Sequence, residues 1–79
     1  MPEKSFVAQY YELTLRVRPR GGKWSAVVLG PNGLLINDDA NYGSETEAEQ
    51  VAVGLAQKNL HEEKHDSRPL LEAVDWQTI

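Results

Sequence analysis

The sequence predicts an α+β domain: a three-stranded antiparallel meander packed on one face by a C-terminal helix, β-β-β-α, with an extra short C-terminal segment. Three observations predict it. Apolar residues alternate with period two in YYELTLRVR, two glycine-bearing turn signals follow at PRGGK and GPNG, and from Ser44 onward the apolar period changes to three and four. With 79 residues, of which 41% are hydrophobic and 25% charged, the chain has globular composition and room for a single domain spanning 1–79.

The first strand is read at 10–18. Tyr11, Leu13, Leu15 and Val17 alternate there against Glu12, Thr14, Arg16 and Arg18, which gives one buried and one wet face. Pro19, Gly21 and Gly22 supply the fixed and the positive φ angles of a chain reversal. The second strand, 24–30, carries Trp24, Ala26 and Val28 on one face and Val27 and Leu29 on the other, so both of its faces ask for cover. Pro31, Asn32 and Gly33 form the next turn, and LLIND, 34–38, is the third strand. Strands joined by such short turns must pair antiparallel.

The helix is read at 44–62. Ser44 and Glu47 stand in the S-x-x-E spacing of a capping box, and Glu45, Glu47 and Glu49 place acids at the positive end of the helix dipole. Ala48, Val51, Ala52, Leu55, Ala56 and Leu60 then form one apolar stripe, with Gly54 off it. A polar tract, HEEKHDSR, ends at Pro69. The segment 67–79 brings back Leu70, Leu71, Val74, Trp76 and Ile79, too apolar for a solvated tail, so it is expected to dock.

Composition excludes several roles. The chain has no cysteine, so neither a disulfide frame nor a thiol nucleophile is available. No signal-peptide or membrane-spanning run is present in the sequence, and a cytoplasmic location is the expectation. A net charge of −4 disfavours general nucleic-acid binding, which needs cations to displace counterions from phosphates. The charge is uneven, however: Arg16, Arg18, Arg20 and Lys23 gather half of the eight basic residues at the first hairpin.

The run W-S-A-V-V-L-G-P-N-G from Trp24, followed by Y-G-S-E-T-E-A-E-Q-V-A from Tyr42, resembles the repeat unit of the YegP-like bacterial proteins of unknown function. Trp24, Asn32 with Gly33, Tyr42, Ser44 and Ala48 carry the likeness, which covers rather less than two thirds of the chain and is structural rather than catalytic. The resemblance implies a three-stranded sheet with one helix. It also implies a homodimer, because the unit is commonly duplicated or paired and this chain contains one. The order of strands and the Trp-x-Ala-x-Val spacing of the second strand are also similar to HicB-like antitoxins, without their acidic turn.

HEEKH, residues 61 to 65, matches the H-E-x-x-H zinc signature. A continuing helix would put His61 and His65 on one face with Glu62 as the water-activating base. A catalytic zinc also needs a third ligand and a walled cleft, and only Asp66, Glu72 and Asp75 follow on a short tail. The reading is a solvated, charged helix end. No catalytic residue, cofactor site or metal site is assigned, and the protein is read as a noncatalytic interaction module that self-associates. Val27, Leu29 and Leu35 on the second sheet face are expected to be covered by Leu70, Leu71, Val74 and Trp76 of the same chain or of a twin. The alternative is a regulator that grips nucleic acid or a toxin with Arg16, Arg18, Arg20 and Lys23. Against it stands the reading of these cations as an edge that discourages strand addition.

Overall fold

The computed structural model describes residues 4–78 and, within them, every side chain but those of residues 34, 35 and 37–40. The chain is α+β, with one antiparallel sheet and one C-terminal helix, but the sheet has five strands where the alternation predicts three. The strands are β1 (Phe6–Tyr10), β2 (Leu13–Arg20), β3 (Lys23–Gly30), β4 (Gly33–Tyr42) and β5 (Gln77–Thr78), in the order β4-β3-β2-β1-β5. Helix α1 (Glu45–Gln57) runs on as a π-helical turn, Lys58–Glu63.

The strand read at 10–18 is in fact the end of one hairpin arm and most of the next. Tyr10 pairs with Leu13, and the two residues between them make the turn with Tyr11 at φ 53°. No Gly, Asn or Pro marks that reversal, so it is silent in turn grammar. Its trace is the alternation of Phe6, Ala8 and Tyr10 against Val7 and Gln9, with Ala8 and Tyr10 buried. The second hairpin turns at Gly21 and Gly22, with φ 58° and 80°, conformations that cost glycine nothing.

Pro19 belongs to β2 rather than to the turn. Arg20 and Lys23 flank a two-residue loop and exchange the ladder bonds there, so Pro19 turns its missing N–H toward the side where β1 has already ended at Phe6. Residues directly opposite in the ladder share a face. Leu13, Leu15 and Val17 of β2, Ala26 and Val28 of β3, and Ala8 and Tyr10 of β1 therefore form one apolar layer, and Ala48, Ala52, Ala56 and Leu60 of the helix close over it.

Three alanines in that stripe let α1 approach the sheet closely. Their spacing of four residues drifts by about 40° per step around an α-helix of 3.6 residues per turn. The wider π turn that follows brings Leu60 back over the core at 1% exposure. Ser44 caps α1 as the sequence predicts, its Oγ accepting from Glu47 N at 3.1 Å. Gly54 is exposed with open space where a Cβ would sit. Gly54→Ala is expected to stabilise the fold by about 0.5–1 kcal/mol, read from the urea midpoint, because helix propensity improves and nothing is displaced.

Burial pushes the Glu49 carboxyl up from 4.5 to about 7, aided by its hydrogen bond with Glu45 and by the repulsion of that neighbour. The folded chain thus holds a proton that the unfolded chain releases between those two values, and stability falls as pH rises through that window. Glu49→Gln should flatten this decline, and denaturation midpoints measured from pH 5 to 8 check it.

Candidate interaction surface

The C-terminal segment docks, and it docks on the helix side. Leu71, Val74 and Trp76 pack against the layer formed by the helix and the inner sheet face, while Leu70 stays 53% exposed. The segment then ends as β5, with Thr78 opposite Phe6 and Gln77 opposite Val7, which closes part of the β1 edge. The expectation that Leu70, Leu71, Val74 and Trp76 of the same chain or of a twin cover Val27, Leu29 and Leu35 is corrected in its same-chain form, because Leu71, Val74 and Trp76 pack on the helix side. Val27 and Leu29 lie on the other face of the sheet, the side chain of Leu35 falls outside the described residues, and so does Ile79.

Backbone capture holds the segment in place. The Tyr10 hydroxyl accepts the Leu71 N–H at 3.0 Å and lies 2.7 Å from His61 Nε2. The Asp66 carbonyl, 3.3 Å from Nδ1, can only accept, so Nδ1–H donates to it, and in the neutral ring Nε2 accepts the phenolic hydrogen. Gln57 Nε2 donates to Leu71 O at 2.7 Å, and the Tyr11 hydroxyl donates to Pro69 O at 2.6 Å. Each of these side chains satisfies a main-chain group that docking would otherwise strand.

A charged clamp lies outside this junction. Arg68 bonds Glu12 at 2.7 Å and Asp66 at 2.6 Å, and its guanidinium carbon stands 4.2 Å over the Tyr11 ring. Its guanidinium beside Asp66 holds that carboxyl down to about 2 and keeps Glu12 below the usual carboxylate range. The clamp is solvated, so it orients the segment more than it stabilises it.

HEEKH does not assemble as a zincin helix would require. The helix ends at Glu63, and His65 leaves it in the left-handed region at φ 54°, exposed, while both ring nitrogens of His61 are engaged as described. Asp66 N donates to Leu60 O at 3.0 Å as the chain turns away. No group of three or more His, Asp or Glu side chains with metal-holding geometry occurs among the described residues.

The opposite sheet face is where the basic residues gather. Ladder partners place Arg16 beside Val27, Arg18 beside Ser25, Arg20 beside Lys23 and Thr14 beside Leu29, with Val7 and Gln9 next in line on β1. Arg18, Arg20 and Lys23 are exposed, and no ion pair to any of the four cations occurs among the described residues. Arg16 is half-buried over Val27, which is only 9% exposed, in keeping with a long stem laid on apolar surface. Its Nε is buried without a hydrogen-bond partner. All six aromatic residues side with the helix: Trp24, Tyr11, Tyr42 and Trp76 pack against the core, Tyr10 lies in it, and Phe6 stands 6.1 Å from Trp24.

At the β1 edge a groove of about 400 Å³ is lined by Val7, Ala8, Gln9, Asp75 and Gln77. Asp75 is the one carboxylate among its described lining residues. No helix among the described residues is long and apolar enough to cross a membrane. The chain matches no protein-family model, and neither curated proteins nor solved structures yield a match.

Tyr10→Phe is expected to cost about 1–3 kcal/mol, because the Leu71 amide and His61 Nε2 both lose their partner. The specific signature is faster amide hydrogen exchange at Leu71 and along β5, with β2 and β3 unchanged until global unfolding.

Proposed function

We propose that this protein is a noncatalytic interaction module whose working surface is the sheet face opposite the helix, and that it recruits an acidic partner there. One observation carries the reading: the apolar C-terminal segment packs on the helix side and so does not cover the face where Arg16, Arg18, Arg20 and Lys23 cluster, and no ion pair to these four occurs among the described residues. Those four are half of the chain's basic residues, and the rest of the molecule holds four cations against twelve acids. A cationic patch on an acidic protein steers anionic groups to one place and repels them elsewhere.

Arg18→Glu with Arg20→Glu tests this without touching the core, since both side chains are exposed. Oligoglutamate is the probe, titrated by fluorescence anisotropy at low salt. The expected result is binding that weakens as salt rises and falls at least tenfold in the double variant. Equal binding by both proteins, or none by either, removes the reading.

Self-association is a second reading, and it finds support at a different place. β4 is a ten-residue edge strand whose outer ladder is paired by no other described strand, a ready template for a second copy. Face-to-face pairing through the basic surface is disfavoured, because it would set two clusters of cations against each other. Sedimentation over a concentration series decides it: a mass twice the 8.9 kDa of one chain supports edge pairing, and 8.9 kDa throughout rules it out.

A further inference from the structure

The open face is zoned along its strands. Toward the glycine turn, Arg18, Arg20 and Lys23 surround Ser25. Toward the far end, Thr14 and Leu29 are ladder partners, Arg16 lies on Val27, and Val7 flanks them from β1. Leu29 and Val7 are half-buried, so the far end is an apolar shelf partly open to solvent, whereas toward the tip the exposed side chains of β2 and β3 on this face are Arg18, Arg20 and Lys23. Leu29 lies six residue steps along β3 from Lys23, on the order of 20 Å.

Resting on the acidic-partner reading above, we propose that the partner is a protein segment whose apolar residues precede or follow a run of carboxylates. The apolar end sits on Leu29, Val27 and Val7, and the carboxylates extend over Arg16, Arg18, Arg20 and Lys23. Three guanidiniums at alternate positions of one strand repeat about every 7 Å, and each presents a fork that fits a carboxylate.

The same face is poorly made for nucleic acid. Single strands are held by stacking on aromatic rings, and all six aromatics of this chain lie on the helix side. A duplex backbone rewards a broad basic footprint, whereas here the β3 row beside the arginines is Lys23, Ser25, Val27 and Leu29, with one cation in four, and the β1 row is Val7 and Gln9. The twelve acids on the rest of the chain repel a long polyanion as well.

Three probes separate the outcomes: a short peptide with leucines at one end and glutamates at the other, an oligoglutamate of equal length, and a short DNA duplex. The mixed peptide is expected to bind at least tenfold more tightly than oligoglutamate, and Leu29→Ala should erase that advantage while leaving oligoglutamate binding within about twofold. A second measurement needs no variant. A spin label on the glutamate end should broaden the amides of residues 18 to 23, and one on the leucine end those of residues 7 and 27 to 29. Equal binding of the two peptides, or labels that broaden both ends alike, overturns the zoned partner while the acidic-partner reading stands. A duplex that binds more tightly than either peptide overturns the partner class, and no binding by any probe overturns both readings.

Discussion

The Tyr10 hydroxyl is the point on which the arrangement turns. It takes the Leu71 N–H from the C-terminal segment and meets His61 at the end of the helix, while its ring fills the core between β1 and the π turn. A buried phenol needs a partner for its polar tip, and here it finds two on separate pieces of chain. The segment from Pro69 to Thr78 is thereby drawn to the helix side and the β1 edge. Had it crossed to the other face, the arginines would have been buried beneath it.

A sheet with one helix always has a second face to settle. Many chains do so with another helix; among the described residues no helix lies over that face here, and its own side chains half-shield it. Arg16 lies on Val27, and the β2 row beyond it is charged, so the surface tolerates water without collapsing onto itself. Such a face offers both apolar area and charge, the combination that the proposed interaction module would use.

HEEKH shows how a chemical motif depends on the backbone that carries it. Two histidines four residues apart share a face only while the α-helix continues, and the helix here widens to a π turn and stops between them. His61 is instead a structural hinge pin, with Tyr10 on one nitrogen and the Asp66 carbonyl on the other. The neighbouring Asp66 is held by Arg68 rather than turned toward a metal.

The helix and its cap, the central hairpin with its two glycines, and the burial of Leu13, Leu15 and Val17 were all legible from residue order, because periodicity and turn chemistry are local properties. So was the clustering of Arg16, Arg18, Arg20 and Lys23. The first hairpin was not, since Tyr11 and Glu12 turn the chain without a residue type that announces it, and the strand pairing pays for the left-handed Tyr11. Nor was the side on which Leu71, Val74 and Trp76 would dock. Apolar content states that a segment must be buried, but burial has no direction in a one-dimensional string. Only the three-dimensional meeting of Tyr10, Gln57 and His61 with that segment selects the face, and with it the surface left open.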